Sequence, residues 1–127
     1  MKTAPSPTFT LVVGHYAIVR LHADAAIPQW ARGAFLSITR THDELSIVCD
    51  AANVPDVVAD RGWRCLKLAG PFPLDQTGVA AAFTRVLADA GVALFVVSTY
   101  DTDYVLVRDG VLEHASTALR AAGYIVR

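Results

Sequence analysis

Few side chains in this sequence stand where covalent chemistry would need them. The four histidines, His15, His22, His42 and His114, have no H-E-x-x-H or other tight ligand spacing, so no metal site is expected. Asp101 and Asp103 flank Thr102 and offer two carboxylates to a divalent cation, but a D-x-D turn is more often a polar hairpin tip. Ser37 and Ser98 fall in extended stretches and lack the G-x-S-x-G elbow that exposes a nucleophile. There is no G-x-x-x-x-G-K-[ST] or G-x-G-x-x-G loop to cradle phosphates. Cys49 and Cys65 each sit inside an apolar strand pattern and read first as small buried side chains, with a disulfide or a reactive thiol as alternatives. No catalytic residue and no cofactor are expected.

Non-covalent binding has better support. Leu74-Asp75-Gln76-Thr77-Gly78-Val79 leads from a strand into a helix. The first amides of a helix lack internal acceptors and carry the positive end of its dipole. Gly78 lets an anionic group approach that backbone closely. Asp75 or Thr77 acting only as a helix cap is the plainer alternative. The next strand ends near Ser98-Thr99, and Asp103 opens the one after it, where its carboxylate could meet an ammonium group. Amides at one end and an acid at the other complement a zwitterion.

The elements that must position these groups follow from the hydrophobic pattern. Phe9–Gly14 and Tyr16–Leu21 read as extended, with a turn near Gly14-His15; Pro28 suits the first turn of a short helix over residues 27–31. Strands are expected over 34–40 and 45–50, then a loop with a helical turn through residue 60. Trp63–Ala69 is a strand. Val79, Phe83, Val86, Leu87 and Ala90 mark one face of a helix over 77–90, stopped by Gly91. Strands over 92–100 and 104–108, a helix over 111–122 capped by Gly123, and a last strand over 124–127 complete a βαββαβ order. The expected class is α+β, with helices on one face of an antiparallel sheet. The strands are apolar on both faces, which predicts association through a sheet edge or face.

One segment echoes another sixty residues on: Phe35, Thr39 and Asp43 align without a gap on Phe95, Thr99 and Asp103. Both copies are strand, polar turn, strand. Two related modules are therefore expected, a degenerate one over 8–62 and a fuller one over 63–127.

The chain has 127 residues, 54% hydrophobic and 18% charged, with eleven Lys and Arg against twelve Asp and Glu and a formal charge of −1. That suits a packed α/β unit and excludes a nucleic-acid binder, which needs clustered cations. Residues 1–7 lack the apolar core of a signal peptide, and no apolar run is long enough to span a bilayer. A soluble cytoplasmic protein, away from membranes, is expected.

The passages 35–50 and Val97-Ser98-Thr99-Tyr100-Asp101-Thr102-Asp103-Tyr104-Val105-Leu106-Val107-Arg108, with Trp63–Leu68, Gly70-Pro71 and Thr77-Gly78-Val79, resemble the ACT family. The likeness extends to small bacterial ACT proteins, to the animal CASTOR amino-acid sensors and to aspartate-kinase regulatory modules. It implies a ferredoxin-like fold, two modules in tandem, and a ligand held between modules. It implies ligand contacts at the loop Asp75–Gly78, at the strand backbone of Ala93 and Leu94, and at Asp103. The arginine-sensing relatives have an acid where this chain has Gln76, which removes a favourable charge for a guanidinium and puts arginine itself in doubt. Those sensors carry four modules in one chain, so a homodimer is the expected assembly here. The function implied is that of a non-catalytic sensor of an amino acid or similar metabolite, acting on an unidentified partner. A structural or interaction module that has lost its ligand is the alternative.

Overall fold

The computed structural model describes residues 7–56, 59–69 and 78–127. One sheet runs through both halves of the chain. Its strands are β1 (Thr8–Leu21), β2 (Ser37–Arg40), β3 (Leu45–Asp50), β4 (Ala59–Leu68), β5 (Leu94–Ser98), β6 (Asp103–Arg108) and β7 (Ile125–Val126), and its helices are α1 (Val79–Asp89) and α2 (Leu112–Ala121). The strand order is β2-β3-β1-β4-β6-β5. Each central strand thus carries its own hairpin outside it: β2–β3 beside β1, and β5–β6 beside β4. From β4 onward the elements follow the βαββαβ order read in the sequence. The last strand departs from the antiparallel sheet expected, because β7 pairs in parallel with Thr8 and Phe9 of β1.

The turn expected at Gly14-His15 is a bulge inside one long strand. Pairing of β1 with β4 shifts between Val12 and Tyr16 and again before Ile18. Gly14 takes a positive φ of 105°, which an L-residue rarely adopts. The short helix expected over 27–31 is absent; those residues form a turn closed by the Ala31 N–H on the Pro28 carbonyl, and β2 starts only at Ser37.

Alternation along the strands sorts the interior into two faces. On one face, Phe9, Leu66, Leu68, Val105 and Val107 meet Phe83 and Leu87 of α1 and Ala115 and Leu119 of α2. On the same face of the first half, Ala17, Val19, Leu45, Ile47 and Cys49 are covered by Ala31 and Val54, with Trp30 beside them. Loop residues there do what helices do in the second half. The opposite face holds Tyr16, Val48, Trp63, Cys65 and Leu106, topped by Phe35. The loop that delivers Phe35 passes the end of β3 at Gly33, where a Cβ would lie 2.9 Å from both the amide nitrogen and Cβ of Asp50. Only glycine passes there. The Phe35 ring then packs against Tyr104, with ring centroids 4.4 Å apart.

The two hairpins are alike in detail. Thr41 Oγ1 accepts the Asp43 and Glu44 amides across one turn, and Thr99 Oγ1 accepts the Thr102 amide across the other. The closing pairs are Arg40 with Leu45 and Ser98 with Asp103, so the hairpins superpose at an offset of 58 residues, not sixty. Phe35 lies before its strand and is no counterpart of Phe95.

Candidate functional site

The fold gathers several of the expected binding residues at one end of the sheet. β4 ends at Leu68, α1 begins after Gly78, β5 ends at Ser98 and β6 begins at Asp103. Antiparallel pairing of Lys67 with Tyr104 and of Ser98 with Asp103 brings the three strand termini to the same side. The tie between them is Thr102. It is buried, and its hydroxyl donates to the Leu68 carbonyl at 2.9 Å, fastening the β5–β6 turn to the end of β4. Within the turn the Thr99 amide donates to the Thr102 carbonyl at 2.8 Å. Sequence reasoning passed over Thr102, since a threonine between two aspartates carries no sign of burial.

Ser98, Thr99 and Asp103 are together. The Ser98 hydroxyl donates to Asp103 Oδ1 at 2.5 Å. Asp103 is half-buried, and among the described residues no cation lies within ion-pair distance of it. A carboxylate with one hydroxyl donor and no counter-ion can accept an ammonium group.

Gly78 is the N-cap of α1, with φ 83°, and no side chain among the described residues bonds to the first amides of the helix. The first turn therefore presents N–H donors to any acceptor that reaches them. Asp75, Gln76 and Thr77 lie outside the described residues. Ala93 and Leu94 stand at the other end of β5, beside the outer side of α1, where a shallow groove runs past Ala81, Thr84 and Ala88. Four residue steps along the strand separate Leu94 from Ser98, roughly 13 Å. One compact cluster does not include both groups.

The remaining polar clusters are structural. Arg64 donates to the Gly14 carbonyl at 3.2 Å and pairs with Asp109 at 3.3 Å, clamping the β1 bulge against the segment before α2. Arg108 lies over the Trp63 ring at 4.0 Å, and its guanidinium on Asp60 holds that carboxyl below its usual range. Cys49 and Cys65 are free and buried, and they point to opposite faces of the sheet. Burial pushes the Cys65 thiol up to about 12, so it stays protonated and is a poor nucleophile. Among the described residues no three of His, Cys, Asp and Glu gather as a metal ion would require, and no helix is long and apolar enough to cross a membrane.

A sheet antiparallel except for β7, with βαββαβ order from β4 onward and both helices on one face, is the α+β ferredoxin-like class. The comparison with known proteins gives the family. The model of the ACT domain matches residues 58–121, and a model of an N-terminal domain matches residues 14–57. The chain belongs to the ACT-domain family. A protein of Agobacterium tumefaciens with an X-ray crystal structure is 46% identical, with a TM-score of 0.89 over 98% of this chain and 94% of that one. The human protein CASTOR3P is 31% identical over 90 residues, 60% of this chain and 55% of its own length. The cytosolic arginine sensor for mTORC1 subunit 1 of Bos taurus is 26% identical over 95 residues, 65% of this chain and 29% of its own length. The chain thus spans about half the length of one of these curated relatives and less than a third of the other.

Proposed function

We propose that this protein is a cytoplasmic regulatory homodimer without catalytic activity, which binds an amino acid where α1 begins. The observation that carries the reading is the pairing of unlike groups at one end of the sheet. The first amides of α1 after Gly78, without a side-chain cap among the described residues, suit a carboxylate, and Asp103, free of any counter-ion among the same residues, suits an ammonium. Asp75, Gln76 and Thr77 would complete the loop around the ligand, with Ser98 and Thr99 at its side. Ala93 and Leu94 would contribute from the edge strand, towards a neighbouring module. Two modules, over 8–62 and 63–127, account for the doubled hairpin arrangement around β1 and β4. The likeness to a protein named as an arginine sensor supports the amino-acid class. Gln76, in place of the acid, argues against arginine itself.

Such a protein acts by shifting a population of states on an as yet unidentified partner. A thermal-shift screen of the common amino acids at millimolar concentration tests the reading. At least one should stabilise the protein, by about 2.7 kcal/mol at a hundredfold excess over its dissociation constant. The Ser98 bond to Asp103 also favours a second reading, in which that carboxylate serves only the hairpin and the module has lost its ligand. A screen without a single stabilising amino acid would establish that second reading over the first.

A further inference from the structure

The outer side of α2 and the strands beneath it are built to meet a copy of themselves. Along β1 the residues facing the helices lose their cover step by step: Phe9 is fully buried, Leu11 is 38% exposed and Val13 is 76% exposed. Phe83 of α1 packs on the first, and the helices leave the others open. Beside them Val126 of β7, in register with Phe9 and so on the same face, is 44% exposed, so three large exposed apolar side chains lie along this one flank. Together with Leu112 and Ser116 of α2, Leu11 and Val126 line a groove of about 490 Å³. A monomer normally keeps such neighbouring apolar surface covered.

The charges on the rim suggest what covers it. The groove is acidic at the N-terminal end of α2, with Asp109 and Glu113, and basic at the other end, with Arg120 and Arg127. Asp109 is already engaged by Arg64. Glu113, Arg120 and Arg127 enter no ion pair among the described residues. Glu113 and Arg120 are seven residues, two helical turns, apart on the same flank, with the small Ser116 close to their midpoint. A two-fold axis through Ser116 would lay α2 antiparallel on its copy. Each Glu113 would then face an Arg120 of the other chain, and the open apolar strand residues would be covered by the partner helix. An isologous contact demands this kind of self-complementarity. A ligand or a foreign protein would not require the acidic and basic ends to mirror each other about a small central residue.

We infer that the α2 flank, with Leu11, Val13 and Val126, is the homodimer interface, closed by two reciprocal Glu113–Arg120 ion pairs. The inference rests on the homodimer reading above and names its surface. Sedimentation equilibrium of the full chain tests both. Glu113→Arg and Arg120→Glu each set like charges face to face twice in one dimer, and each should weaken dimerisation by about a hundredfold or more. The double variant, with the charges exchanged, should recover most of it; a variant damaged in its fold would not. A monomeric wild-type protein overturns the homodimer reading and this surface together. A wild-type dimer that both single variants leave intact overturns the surface alone. Single variants that weaken the dimer with no recovery in the double overturn the assigned pairing.

Discussion

Replacing Phe83 by alanine should destabilise the protein by about 3–5 kcal/mol in urea denaturation. The side chain is fully buried, and its ring stands edge-on to Phe9 at 5.8 Å and to Tyr124 at 5.1 Å. It therefore joins α1 to β1 and to the residue just before β7. Truncation leaves a void that the surrounding rings are too stiff to close. Domains are stable by only about 5–15 kcal/mol, so a large share of the total is at stake. The consequence reaches the binding end as well, because this core fixes how α1 presents its first amides. A loss below about 1 kcal/mol would contradict the helix-side core described above.

The second large effect is on binding. Asp103→Ala should reduce affinity for the ligand by about tenfold to a hundredfold, the scale of one lost charge-assisted hydrogen bond. Asp103→Asn should do nearly the same, although its amide oxygen can still accept from Ser98. Both variants should keep their thermal stability to within about 1 kcal/mol, since the Ser98–Asp103 bond is at the surface. Calorimetric titration of the three proteins with the amino acid found by screening separates the two roles of this carboxylate. If the asparagine variant binds like wild type, negative charge is not what the ligand needs, and an ammonium partner is excluded.

Much of the second half was legible because its signals are local and agree with each other. The apolar spacing of Val79, Phe83, Val86 and Leu87 allows only a helix, and Gly91 and Gly123 stop their helices where expected. The ACT resemblance, carried by the passage 97–108, led to the family that the comparison then gave. The first half was harder for identifiable reasons. A glycine at positive φ serves a turn and a bulge equally well, so Gly14 alone does not reveal that β1 continues through it. Pro28 suits the first turn of a helix and an isolated turn equally well, and here it closes only a turn, through its carbonyl on the Ala31 N–H. The placement of β7 beside β1 depends on contacts across almost the whole chain, which no local pattern encodes. At the candidate site, the types and spacing of Ser98, Thr99 and Asp103 were readable. Their attachment through Thr102 to Leu68 needed the sheet itself.

The proposed dimer surface lies apart from the proposed binding end, along α2 and β7 rather than at the start of α1. Ligand binding and self-association can therefore be perturbed separately, and neither Glu113→Arg nor Arg120→Glu touches the groups assigned to the ligand.

A crystal structure of the protein grown with its best stabilising amino acid puts the central proposal to its most direct test. Ligand density should lie between the first turn of α1 and the β5–β6 turn, with the carboxylate on the amides following Gly78 and the ammonium within hydrogen-bond reach of Asp103. Side chains of residues 74–78 packed onto Asp103 with no space between them, or a ligand bound at some other place, would contradict it.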